Sequence, residues 1–167
     1  MKHQLNYKNI TKKHWPDIKA IFESGIVAGN ATFDNTAGTW NKWNSSHCKE
    51  VRILAEIQDE VVGWAALRPT SIRNVFSGVA ESSIYIADKF QNYGFGNELL
   101  KHMIEASEIA DFWMLEAYIF PENHASIALH KKNDYKLVGI RNKIGAMKNG
   151  TWRDVLLLER RSKVNGK

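Results

Sequence analysis

Apolar residues recur along this chain at two periods. In WPDIKAIFESGI, Trp15, Ile18, Ile21 and Phe22 fall three and four apart, which is the spacing of one helix face. Pro16 suits the first turn of that helix. TWNKWNSSH predicts a short helix with Thr39 as its cap. NELLKHMIEASEIA predicts an amphipathic helix, and NHASIALHKKN another, capped by Asn123. The strand-like segments are QLNYKNIT, VRILAEI, VVGWAAL, GVAESSIYIA, WMLEAYIF, YKLVGIRNKIGAM and TWRDVLLLER. The second and third are separated by QDE, a hairpin spacing. The last two are joined by KNG, whose Asn-Gly is a turn dipeptide. AGNATFDNTAG reads as a turn-rich loop. The order β-α-α-β-β-β-α-β-α-β-β predicts a mixed α/β (α+β) chain with a partly antiparallel sheet. With no repeat, low-complexity segment or linker, the chain 1–167 reads as a single domain, ending in a basic tail at about 161–167.

Three positions interrupt these patterns. Gly63 sits inside a strand, where it eases close packing. Glu81 lies in an apolar run, and a carboxylate there needs a partner or a job. Strand alternation puts Glu81, Ser83, Tyr85 and Ala87 on one face and Ser82, Ile84 and Ile86 on the other. Then Gln91-Asn92-Tyr93-Gly94-Phe95-Gly96 joins a strand to a helix. Free amides and the positive dipole end at a helix start attract anions. Glycines remove the Cβ atoms that would hold a ligand away. The spacing is neither the dinucleotide G-x-G-x-x-G nor a P-loop, so a plain tight turn is the alternative.

Composition narrows the classes. A chain of 167 residues with 44% hydrophobic and 25% charged residues is ordinary for a globular domain. MKHQLNYKN has no apolar signal core, and no apolar run nears a membrane span of ~18 residues. Cys48 is the only cysteine, so a cytoplasmic protein without membrane association is expected. The net charge of +5 is uneven: from Leu129 onward eleven Lys/Arg face three Asp/Glu, a net +8, which leaves −3 for the remainder. That C-terminal stretch is either a solvated face or suited to an anionic partner such as a phosphorylated cofactor. No nucleic-acid module signature is visible, so no nucleic-acid partner is expected, and no metal site is either.

The glycine turn resembles the acyl-CoA pyrophosphate motif Q/R-x-x-G-x-G/A of the GCN5-related N-acetyltransferases. Other segments resemble the phosphinothricin and methionine sulfoximine acetyltransferase subgroup: WPDIKAIFESGIVAGNATFD its first helix and substrate loop, GVAESSIYI its Glu-bearing strand, FPENHASIALHKKNDYKLVG its N-x-x-S-x-x-L-H-E-K-x-G-F block, and GTWRDVLLLER its ending. The resemblance runs from about Leu5 to Arg161. It implies the acyl-CoA N-acyltransferase fold, a splayed mixed sheet flanked by helices. Acetyl-CoA would enter between SSIYIA and WMLEAYIF. The backbone at Ile84, Tyr85 and Ile86 would hold the pantetheine arm. The turn Gln91, Asn92, Tyr93, Gly94, Phe95, Gly96 and Asn97 would hold the pyrophosphate, with Asn123 and Ser126 beside the arm.

The implied function is direct, acetyl-CoA-dependent acetylation of the amino group of a small amino acid or glutamate-analogue toxin such as phosphinothricin or methionine sulfoximine, an antibiotic- and herbicide-resistance activity. Acetyl transfer needs a base for the ammonium proton and a group for the leaving thiolate. Glu81 is the candidate base. His130 is a second base or the thiolate's acid, with Tyr85 and Tyr135 as alternative acids. Arg73 could grip a carboxylate, with Arg68 as its rival. Val75 would line the same wall, and Phe33 or Trp152 would cover the substrate. The sequence departs from the subgroup at Phe76, Lys131, Asp134 and Asn92-Tyr93; Lys89 or Lys132 could replace the missing phosphate cation. A homodimer is expected. Alternatives are acetylation of a polyamine, an aminoglycoside or a protein N-terminus, or a non-catalytic CoA-binding module.

Overall fold

The period-two segments all enter one sheet. In the computed structural model, which describes residues 4–166, seven strands pair in the order β1-β2-β3-β4-β5-β7-β6. They are β1 Asn6–Asn9, β2 Arg52–Ile57, β3 Glu60–Pro69, β4 Val79–Ile86, β5 Met114–Ile119, β6 Lys136–Ala146 and β7 Trp152–Arg161. The helices are α1 Trp15–Ala28, α2 Trp40–Ser46, α3 Phe95–Ile109 and α4 His124–Lys132. Class and element order match the sequence expectation, with short 3-10 turns added at Lys12–His14, Asn74–Phe76 and Asp88–Phe90.

The local causes are those of the sequence pattern. Thr39 Oγ1 accepts from the Lys42 amide at 3.3 Å, and Asn123 Oδ1 from the Ser126 amide at 3.1 Å, so both predicted caps form. The β2–β3 turn is tighter than the QDE spacing suggests: Gln58 and Asp59 alone make it, both at positive φ. Gly63 is required by packing, because a Cβ there would stand 2.5 Å from the Tyr85 carbonyl oxygen on β4.

All pairings are antiparallel except β4 with β5. That parallel register holds only from Val79↔Met114 to Glu81↔Glu116. Beyond it β4 runs on beside β3 to Ile86, and β5 beside β7 to Ile119. The sheet therefore opens into a V whose apex is the Glu81/Glu116 pair.

Alternation along β4 assigns its side chains to two cores. Tyr85 joins Phe22, Trp43 and Trp64 beneath α1 and α2. Ile84 and Ile86 face Leu99, Leu100, Met103 and Leu129 of α3 and α4. No described helix is long and apolar enough to cross a membrane. Part of the basic C-terminal stretch is paired internally: Arg153 with Glu122, Arg160 with Glu108, and Lys163 with Asp134.

Candidate active site

The V is filled by a cleft of about 600 Å³, within the usual range for small-molecule sites. One wall is β4 from Glu81 to Ile86, which beyond Glu81 has no strand partner on that side among the described residues. The opposite wall is Ala117 to Phe120 with Asn123, Ser126 and His130 of α4. Thr32, Phe33 and Asp34 of the α1–α2 loop close one end, and Gln91 and Asp88 lie at the other.

At that other end the chain turns into α3. Gly94, at φ +86, is its N-cap. The first bonded amide is Asn97, which donates to the Gly94 carbonyl at 3.0 Å. Among the described residues the amides of residues 92–96 donate to no protein acceptor. A row of free amides at a helix N-terminus is an anion cradle. A Cβ on Gly96 would meet only Leu129 and Ile86, at ordinary contact distance. Gln91 lines the cleft, and its Nε2 donates to Asp88 Oδ1 at 3.0 Å.

At the apex Glu81 lies directly across from Arg68 of β3. Arg68 Nη2 donates to both Glu81 oxygens, at 2.8 and 3.0 Å, and Nε reaches Oε2 at 3.3 Å. Burial works against the guanidinium's charge, but the Glu81 carboxylate outweighs it and raises the proton affinity of Arg68. Tyr118 Oη donates to Glu116 Oε2 at 2.8 Å. Burial, then that bond, pushes the phenol up to about 12.

His130 is almost fully buried, and its Nδ1 lies 2.8 Å from the Ser126 carbonyl. That oxygen can only accept, so Nδ1 carries the proton and Nε2 presents a lone pair. Nε2 is buried without a protein partner among the described residues. Burial lowers the ring's proton affinity, which favours the neutral ring and leaves Nε2 as a hydrogen-bond acceptor but a weak base. Tyr85, stacked 4.8 Å from Trp64, has its pKa raised by burial. Tyr135 lies in the core with its hydroxyl 3.1 Å from Ser82 Oγ.

The structure thus brings Glu81, Ile84, Tyr85, Ile86, Gln91, Asn123, Ser126, His130 and Phe33 to one cleft. Asn123 also donates to the Asn30 carbonyl at 2.9 Å, tying α4 to the α1–α2 loop. Phe33 packs edge-on against Phe120 at 4.8 Å. Arg73 and Val75 are not brought there. They sit on the exposed turn after β3, with Arg73 over the Phe76 ring at 5.3 Å. The family resemblance favoured Arg73, whereas strand register puts Arg68 opposite Glu81. Trp152 is exposed and outside the cleft. Sequence reasoning passed over Asp34, His47 and Tyr118; only strand alternation on β5 could have flagged Tyr118.

Comparison with known proteins gives the same direction. The profile of the Acetyltransferase (GNAT) family matches residues 15–135. A phosphinothricin N-acetyltransferase of Streptomyces viridochromogenes is 31% identical over 62% of this chain, a match that spans 56% of that protein's length. An L-methionine sulfoximine/L-methionine sulfone acetyltransferase of Pseudomonas paraeruginosa is 25% identical over 86% of this chain and 87% of its own. The structure of a phosphinothricin acetyltransferase from Sinorhizobium meliloti in complex with AcCoA superposes with a TM-score of 0.82, at 22% identity, over 94% of this chain and 88% of that one.

Proposed function

The chain belongs to the GNAT acetyltransferase family, and from that premise we propose that it is an acetyl-CoA-dependent N-acetyltransferase acting on the amino group of a small amino acid or a glutamate analogue. The observation that carries this reading is the V-shaped opening of the sheet with Glu81 at its apex and the amide cradle at its far end. The relatives named for phosphinothricin and methionine sulfoximine support the substrate class.

When bound, acetyl-CoA would supply the thioester carbon: the amine nitrogen would bond to it as the C–S bond breaks, the sulfur would leave with the electron pair, and the surplus proton on that nitrogen would pass to the sulfur to give the free thiol. This chain's part is positional and electrostatic. The amides of residues 92–96 hold a pyrophosphate, and Gly96 lets it approach the backbone. The unpaired edge of β4 at Ile84–Ile86 offers N–H and C=O groups to a pantetheine arm, as a sheet edge does to an added strand. Glu81 takes the ammonium proton, directly or through a water, which frees the nitrogen lone pair. His130 Nε2 accepts a hydrogen bond inside the dry wall of the cleft. The protein assembles as a homodimer through the exposed apolar residues of β6 and Trp152.

One observation favours a second reading. Asp34 lines the cleft and joins no ion pair among the described residues, which suits a more cationic amine such as a diamine. The test is thiol release from acetyl-CoA across phosphinothricin, methionine sulfoximine, methionine sulfone, common L-amino acids, spermidine and an aminoglycoside. Turnover of the glutamate and methionine analogues, falling about 10²–10³-fold in Glu81→Gln with acetyl-CoA binding retained, is the expected result. Turnover of spermidine or the aminoglycoside alone would transfer the assignment to the second reading.

A further inference from the structure

Arg68 carries more donors than Glu81 uses. A guanidinium presents five N–H groups in a fixed plane. Here Nε and Nη2 hold the Glu81 carboxylate, while Nη1 donates to no acceptor among the described residues. The Arg68 side chain is 45% exposed and Glu81 23%, so the pair is reachable from the cleft rather than sealed in the core. Arg68 is held at its place by the sheet: β3–β4 register fixes it opposite Glu81. Its charge is felt by its neighbours, since it helps lower the proton affinity of His47, whose chain neighbour Cys48 bonds to the Leu67 carbonyl of β3. Other charges near it are Asp34, which takes a hydrogen bond from the Thr32 hydroxyl at 3.2 Å, and Lys42 on the cleft lining.

Resting on the acetyltransferase reading, we propose that Arg68 is a shared clamp, fixing the Glu81 base with its Nε–Nη2 side and receiving the α-carboxylate of an amino-acid substrate on Nη1. An α-amino group is bonded to the same carbon as the carboxylate. Seating the carboxylate on Nη1 therefore brings the nitrogen beside Glu81. One side chain sets both the orientation of the base and the preference for amino acids over plain amines. Two carboxylates on one guanidinium are compatible because they occupy different donors.

The experiment compares L-methionine sulfone with 3-(methylsulfonyl)propylamine, which lacks only the carboxylate. In the wild type kcat/KM favours the amino acid by roughly 10- to 100-fold, the range of one charge-assisted contact. In Arg68→Met that ratio falls towards one, through a higher KM for the amino acid, and kcat falls for both amines as Glu81 loses its support. Arg68→Lys recovers part of the ratio and little of the kcat. An unchanged ratio in Arg68→Met overturns the proposal even if both activities drop. A second measurement needs no turnover: calorimetric binding of N-acetyl-L-methionine sulfone in the presence of coenzyme A. Binding that Arg68→Met abolishes, with coenzyme A affinity kept, supports the clamp. Equal binding to both proteins, or none to the wild type, overturns it. A wild type that binds this ligand but acetylates neither amine would sink the acetyltransferase reading and leave the clamp standing.

Discussion

His47 shows how a single side chain records its surroundings. Its ring stacks 4.3 Å from Trp43, and its Nδ1 lies 2.7 Å from the Trp43 carbonyl. Burial, reinforced by the charges of Arg68 and Arg52, lowers its pKa from 6.5 to about 4, against the opposing pull of the Trp43 carbonyl. His130 is shifted the same way by burial. Each ring binds its proton more weakly folded than unfolded. Between about pH 4 and 6.5 the unfolded chain therefore holds more protons, and stability rises with pH across that window. Thermal melts should fall as pH drops from 7 to 4.5. In His47→Phe, which keeps the stacking but cannot titrate, the fall should be shallower by roughly 5 °C. Parallel curves for the two proteins would contradict the shift assigned to His47. Among the candidate residues, Glu81 and the glycine turn stood out by residue type and position, and His130 only through the family resemblance. Arg68 was legible only as a rival to Arg73, because the choice depends on register across a hairpin rather than on distance along the chain.

At the scale of elements, the two glycines of the turn into α3 have separable reasons. Gly94 has φ +86, where a Cβ is strained whatever the space around it. Gly94→Ala should cost about 1–2 kcal/mol, lowering Tm by roughly 4 °C, and raise the KM for acetyl-CoA. Gly96 has no such constraint. Gly96→Ala should leave Tm nearly unchanged yet weaken acetyl-CoA binding, and a large loss of Tm would show that its role is structural. The β2–β3 turn offers the reverse case. Gln58 and Asp59 hold φ +49 and +63, a conformation that Asn-Gly adopts more readily. Replacing them by Asn-Gly should raise Tm by about 2–4 °C in a thermal melt. The positive φ at Asp134 fits the same logic. An Asp tolerates that conformation where the resembled block has Gly.

For the whole molecule, β6 is the open question of the sheet. Among the described residues it pairs only with β7, which leaves its other edge free over eleven residues. Leu137, Val138, Ile140 and Ile144 are all exposed along it, with Trp152 nearby on β7. Lys136, Arg141 and Lys143 interrupt that apolar row, yet a long exposed edge of this kind still invites pairing. Light scattering after size exclusion should give twice the chain mass, and Ile140→Lys with Trp152→Lys should give a monomer that still binds acetyl-CoA. A monomeric wild type would remove the dimer from the proposal.

Residue order alone determined the succession of elements, because hydrophobic period, helix caps and turn dipeptides act over a few neighbours and leave their mark in the sequence. It also determined the two faces of β4, since alternation is a property of any strand. Tertiary structure decided the rest. The V opens because β4 and β5 stay paired only as far as Glu81 and Glu116 and then follow different neighbours. Which arginine meets the carboxylate, which histidine nitrogen is left without a partner, and which loop carboxylate closes the cleft all follow from contacts between segments far apart in the chain. No local pattern encodes such contacts, because their energy belongs to the packed pair and not to either residue.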